Sequence, residues 1–440
     1  MAISSTRTTA DSIDRIVAVN RGRDPALLQR KFTAMAQDPF AFLRATAMLG
    51  HRSVDLAALP RSPLAWICGD LHLQNFGCFR GGNRLVYFDL NDFDEAARLP
   101  AVLDLMRFLA SISTAAPVIG LTRTQVRPLA AAALAAYAAA LVRGKAFWLE
   151  RDTAGGSIGG LLQKVQTRKR RSLLDARTVR MGRRRVMALD PQRYRAVAPA
   201  DAIRDQIHGA LEQMAQTYGD ESFFAQRDLA FRIAGMGSLG VARYVALVHG
   251  KGDPDRNALI DFKFAPPSSA AQALPRLAQP VWPSEAARVV AIQAASPAFL
   301  SAVTMGGRPF VARELQPVED RVSLLHLARD TRQLGMALDD MARLAAFAQL
   351  RSASRRGADG IDAFIDFGAQ LQARPRPWLD AARAVDEANT AAFRQFRGAW
   401  AGRDARLHAL CAVAGPHGLR MAAAKVDRRP AVPARRKVAA

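Results

Sequence analysis

Apolar and polar positions alternate most regularly in the second half of the chain. Val241–Val248 reads as a strand, and so do Ala258–Phe264, which carries Lys263, and the run from Arg308 to Leu315. In the first half, Trp66–Cys68 and Leu85–Phe88 are short β-type runs joined through the turn residues Gly81, Gly82 and Asn83. Helical spacing begins at Pro25 with Leu27, Leu28, Phe32 and Met35, and Asp38-Pro39 caps a second short helix. Val102–Ile112 predicts an apolar helix. A Thr122–Gln125 capping box opens an Ala-rich helix that Pro128 is expected to kink or restart. Ser284 is placed to cap a helix running to Ala295, and residues 322–350 carry Leu327, Leu334, Leu338, Met341 and Ala345 on one face.

These elements divide the chain into six stretches. Residues 1–24 read as a loose leader and 25–150 as a helical lobe. Residues 151–227, broken by Gly155-Gly156 and Gly159-Gly160, read as a basic helical insert. Residues 228–320 form a β-rich lobe, 321–425 a helical segment completing the large lobe, and 426–440 a basic tail with a disordered composition.

The chemistry concentrates in residues 66–105. Asp70 follows the first apolar run, Asn75 comes five residues later, and the second run ends in Asp89, Asp92, Asp94 and Glu95. Metal-assisted phosphoryl transfer needs such a set: a carboxylate to take the proton of an attacking hydroxyl, and an amide with further carboxylates to hold Mg²⁺. A second stretch, Gly235-Met236-Gly237-Ser238-Leu239-Gly240, matches G-x-G-x-x-G. A strand rather than a helix follows it, which favours a loop folded over phosphates between two strands over a dinucleotide fold.

The stretch GDLHLQN resembles the H-G-D-x-H-x-x-N loop of aminoglycoside phosphotransferases and related small-molecule kinases, and Asp92–Ala96 resembles their D-F-x-D-A segment. With the upstream KFTAMAQDPFAFLR, it is also similar to a bacterial family known as domain of unknown function 2252. The resemblance implies an α+β, protein-kinase-like two-lobe fold with extra helices. It implies ATP and Mg²⁺ as cofactors, Asp70 as base, His72 as a loop-shaping residue, and Asn75 with Asp92 as metal ligands, Asp89 being the fallback. Gly235, Gly237, Ser238 and Gly240 with Lys263 would clamp the nucleotide, and Glu285 would pair with the lysine. Asp104 would brace the catalytic loop. Three features depart from the pattern: Cys68 stands where a His is usual, three acids compete for the metal role, and the lysine's acid falls nearer Ala291 in the resembling family. Because the catalytic loop precedes the glycine loop, the implied fold is circularly permuted, with 228–350 followed by 25–143 restoring the usual order.

Composition changes this picture little. The 440 residues are 50% hydrophobic, and the formal net charge is +23. Such charge attracts polyanions, but Arg far outnumbers Lys and Ala is abundant, which also follows from a GC-rich coding sequence. The basic run (Lys164, Arg168–Arg171, Arg183–Arg185) has no interleaved aromatics, so a solvated helical face is favoured over nucleic-acid docking. No 18-residue uncharged apolar run predicts a membrane span, and three cysteines suit a reducing cytoplasm. The expected partners are a nucleotide and a small-molecule acceptor of unknown identity. The alternatives are AMP transfer from the same site, a silent nucleotide-binding pseudokinase, a basic nucleic-acid adaptor, and a zinc site at Cys68, His72 and Cys78.

Overall fold

Alternation along two strands decides which side chains of the β-rich part meet. In the computed structural model, which describes residues 5–275, 277, 285–317 and 320–412, thirteen strands are named in chain order. They are β1 (Leu64–Ile67), β2 (Phe76–Arg80), β3 (Val86–Leu90), β4 (Ala97–Pro100), β5 (Leu149–Glu150), β6 (Thr178–Met181) and β7 (Arg184–Met187). Then follow β8 (Tyr194–Ala196), β9 (Gln226–Arg232), β10 (Arg243–Val248), β11 (Ala258–Phe264), β12 (Ser301–Met305) and β13 (Arg308–Glu314). The fold is mixed α+β, with several antiparallel sheets. The largest sheet has the order β12-β13-β11-β10-β9-β8, and β2-β3-β5, the pair β1-β4 and the hairpin β6-β7 complete the set.

One face of the large sheet is apolar. Ala246, Val248, Ile260, Phe262 and Phe310 pack there against Ile207, Leu211 and Met214 of the Ile203–Tyr218 helix. The opposite face is divided. Val245, Leu247 and Leu259 pack on Leu174 and Met187 at one end. At the other end the same alternation brings Arg243 opposite Lys263, and Asp261 opposite Arg313. A charged half-face therefore follows from the pleat.

A second core joins the Val102–Ile119, Arg123–Val142 and Thr331–Ser352 helices around residues such as Phe108, Tyr137 and Leu338, with Phe76 and Phe88 of the β2–β3 hairpin. By length and composition Val102–Ile119 and Arg123–Val142 could each cross a membrane, but the first is 83% buried within this fold. Pro128 lies inside the second helix, which runs on unbroken, and Gln125 accepts the Thr122 amide at 2.9 Å as the capping box predicts. Asp38 likewise caps the Pro39–Ala45 helix by accepting from the Phe40 amide at 2.7 Å.

Three expectations about organisation need correction. Residues 5–20, read as a loose leader, form the Ser5–Asn20 helix, whose Ile13 and Ile16 pack on Phe396 and Leu407. The 151–227 stretch is not a separate helical insert: β8 extends the large sheet and the Ile203–Tyr218 helix covers one of its faces. Its Arg183–Arg185 run lies on the β6–β7 hairpin, and Arg185 is buried between Asp175 and Asp255, each 2.7 Å away. The 322–350 helix is two helices, Leu324–Leu327 and Thr331–Ser352, because Asp330 accepts the Arg332 and Gln333 amides and starts the second one. The Ser284 cap, Pro280, Pro283 and the 426–440 tail lie outside the described residues.

Candidate functional site

The site begins where β1 ends. The amides of Cys68 and Gly69 donate to the two carboxylate oxygens of Asp104 at 2.8 and 2.9 Å, so the first turn of the Val102–Ile119 helix holds the loop. Gly69 has φ +79°, and a Cβ there would stand 2.0 Å from the Glu95 carbonyl oxygen. That contact locks the 69–75 loop against the 92–95 segment. Asp70 then meets Arg107, whose Nε lies 2.7 Å from Oδ1, while Nη2 of the same guanidinium donates to the Leu43 carbonyl at 2.6 Å. Burial raises the Asp70 carboxyl above its ordinary range, and the Arg107 charge offsets this only in part. His72 Nδ1 accepts from the Gln74 amide at 3.1 Å, which leaves Nε2 facing Asp70 at 3.8 Å. Burial pushes this imidazole well down, so it is neutral and holds the loop's shape.

Behind the loop, His51 is buried and burial lowers its pKa from 6.5 to about 3. The unfolded chain therefore takes up this proton first as the pH falls. Stability contributed by neutral His51 is intact above about pH 6.5 and declines by up to about 1.4 kcal/mol per unit until the folded group titrates. Thermal unfolding followed from pH 7 to pH 4 should show this loss, with a smaller slope in His51→Gln. An equal slope would remove His51 from the account.

Across the cleft, Lys263 reaches from β11 to Asp92 at 2.8 Å and Asp94 at 2.6 Å, joining residues 171 apart in sequence. Burial alone would lower the lysine, but the two carboxylates overcome it and its pKa is raised. The surroundings of Asp92, whose side chain keeps 37% of its surface exposed, would raise its carboxyl, yet Lys263 holds it below the usual carboxylate range. Burial, and then the Asp92 charge, pushes Asp94 well above that range. Glu285 opens the Glu285–Ile292 helix, is buried, and adds a third negative charge felt by Lys263; its Oε2 has no hydrogen-bond partner among the described residues.

Gly235–Ser238 forms the facing wall. Arg23 donates to the Gly237 carbonyl at 2.6 Å and Lys31 to the same oxygen at 2.9 Å, while the Asp24 amide donates to the Gly240 carbonyl at 3.1 Å. The start of the Pro25–Gln37 helix thus fastens the glycine loop. Gly235 and Gly240 adopt φ +80° and +86°, which a larger residue would resist. Between the walls lies a cleft open to solvent, reached by Asp70, Asp92 and Asp94 from one side and by Gly235, Gly237 and Ser238 from the other. Arg23, Arg44 and Arg321 also line it.

Of the other two expected metal ligands, Asn75 lines the cleft with its amide already bonded, and Asp89 lies outside it. Asn75 is buried and its amide is consumed by backbone: Oδ1 accepts from Asp92 N at 2.7 Å, and Nδ2 donates to the carbonyls of Asp70 and Asp92. It ties the two acidic segments together. Asp89 sits inside β3, is buried away from the cleft, and is satisfied by Arg351 at 3.0 Å and the Ala294 amide at 3.0 Å. Sequence reasoning missed Asp94 as a partner of Lys263, and it missed Arg107. The available signal for Arg107 was a lone charge in the apolar run LMRFL, three residues after Asp104.

A family model described as an uncharacterized protein conserved in bacteria (DUF2252) matches residues 23–399. The chain belongs to this family. The match takes in both walls of the cleft, from Arg23 and Lys31 through Asp70 and Asp92 to Lys263 and Arg321. No curated protein and no solved structure matches the chain.

Proposed function

We propose that this DUF2252 member is an ATP- and Mg²⁺-dependent phosphotransferase of permuted kinase-like architecture, acting on a small-molecule acceptor. The observation that carries the reading is that Asp92 and Asp94, both held by Lys263, line one cleft together with Asp70 and the glycine loop. Nothing local in the sequence would bring these groups together.

The donor set fits a magnesium ion bound with phosphates. Mg²⁺ is commonly held by one or two carboxylates plus substrate oxygens. Asp92 and Asp94 supply two, both already in contact with Lys263. Among the described residues no group of three or more His, Cys, Asp or Glu is arranged to hold a metal unaided. Asp92 and Asp94 are the ligands this reading assigns, in place of Asn75 and Asp89. When bound, the ion would neutralise charge on the phosphate oxygens. Asp70 would accept the acceptor's hydroxyl proton, with Arg107 fixing its carboxylate and His72 its loop. Lys263 would leave the carboxylates to grip phosphate. A cytoplasmic location belongs to the same reading, in keeping with three free cysteines.

Thermal unfolding with ATP, GTP or ADP, with and without Mg²⁺, tests it. At a hundredfold excess over Kd the ligand should add about 2.7 kcal/mol, seen as an upward shift of a few degrees that needs the metal. No shift with any of the three would remove the proposal.

A further inference from the structure

Beneath the glycine loop a second, tighter pocket adjoins the cleft and shares Asp92, Gly235 and Arg321 with it. Its walls carry Arg232, Arg243, Lys263, Arg313, Arg321 and Gln316. The first four project from the charged half-face of the large sheet, where pairing places Arg243 beside Lys263 and Arg313 beside Asp261. The neighbouring carboxylates do not balance these charges. Asp261 serves both Arg232, at 2.9 Å, and Arg243, while Asp92 and Asp94 are engaged by Lys263.

Arg313 and Arg321 have no carboxylate within ion-pair distance among the described residues. Arg313 is only 6% exposed. Its Nη2 touches the Asn91 carbonyl at 3.4 Å, and its Nη1 has no hydrogen-bond partner. Neither amide atom of Gln316 has a partner either. Buried cations without acceptors are costly, and a ligand rich in anionic oxygens would satisfy several at once. A neutral ring would leave them unpaired. The cleft, by contrast, also takes apolar lining from Ala45, Ala47, Met48, Met236 and Val241.

We propose that the chamber beneath the glycine loop is an anion site for linked phosphates, with Arg313 and Arg321 as its principal donors. It rests on the nucleotide reading only for the source of those phosphates. If a nucleoside triphosphate brings them, its phosphate tail points under β9–β11 and its base lies in the neighbouring cleft, against residues such as Met48, Met236 and Val241.

Calorimetric titration of the full chain with inorganic tripolyphosphate, without Mg²⁺ and at fixed salt, tests the site. One equivalent should bind. Arg321→Gln, a substitution at the half-buried junction, should weaken it at least tenfold, and Arg313→Gln should do so where circular dichroism shows an intact fold. Arg376→Gln, on an 89% exposed side chain, should have no effect. Adding Mg·ATP to the saturated protein identifies the source: displacement points to the nucleotide's own tail, and simultaneous binding to a free polyphosphate. Absent binding, or equal losses in Arg321→Gln and Arg376→Gln, would overturn the anion site. Mg·ATP binding that persisted in that case would leave the phosphotransferase reading standing, whereas its absence would remove both.

Discussion

Gly69→Ala is expected to destabilise the protein by about 4 kcal/mol or more, the range of changes that leave a forced backbone clash in a core. Two costs combine. The φ of +79° is strained for alanine, and the new Cβ would lie 2.0 Å from the Glu95 carbonyl oxygen and 2.6 Å from its carbon. The neighbours that would have to yield are backbone, held by the Ser268 hydroxyl on the Glu95 carbonyl and by Asp104 on the Gly69 amide. Gly82→Ala is the control, because nothing lies within 4 Å of its Cβ position. Urea unfolding should separate the two variants clearly. A Gly69→Ala cost below about 1 kcal/mol would mean that the 69–75 loop and the 92–95 segment are not held together as described.

The second large effect concerns chemistry. Asp70→Asn should slow basal ATP hydrolysis, with water as acceptor, by about a hundredfold to ten-thousandfold, the usual worth of a positioned general base. Nucleotide affinity should stay within about twofold, since the proposed base would face the acceptor rather than the phosphates. The substitution also leaves Arg107 buried without its carboxylate, so a stability loss of about 3 kcal/mol is expected alongside. Rates must therefore be compared well below the unfolding transition. An unchanged hydrolysis rate would remove Asp70 from the chemistry, whatever happens to stability.

How much of this was legible in the sequence depends on how local each cause is. Strands β10 and β11 follow from alternation within six or seven residues, and the Asp38 cap from one dipeptide. The Gly69–Asn75 loop could be located because its glycine, its acid and its asparagine are spaced by the chain itself. The Ser5–Asn20 helix could not, since the groups that bury Ile13 and Ile16 lie near residues 396 and 407. Choosing among Asp89, Asp92 and Asp94 needed the end of β3 and the position of Arg351, and neither is written near the acids. The charge run at Arg183–Arg185 misled for the same reason: Asp255, which helps to bury Arg185, is 70 residues further on.

The circular permutation stands or falls with one nucleotide serving both halves of the chain. Calorimetric titration of ATP into wild type and Asp92→Asn, each with Mg²⁺ and with a chelator, measures this most directly. Asp92 is the carboxylate that touches Lys263 and keeps the larger exposed share of its side chain, 37% against 22% for Asp94. The account predicts a single site in the wild type that needs Mg²⁺, and at least a tenfold loss of affinity in Asp92→Asn. Binding that ignores the metal, or is equally tight in Asp92→Asn, would contradict it.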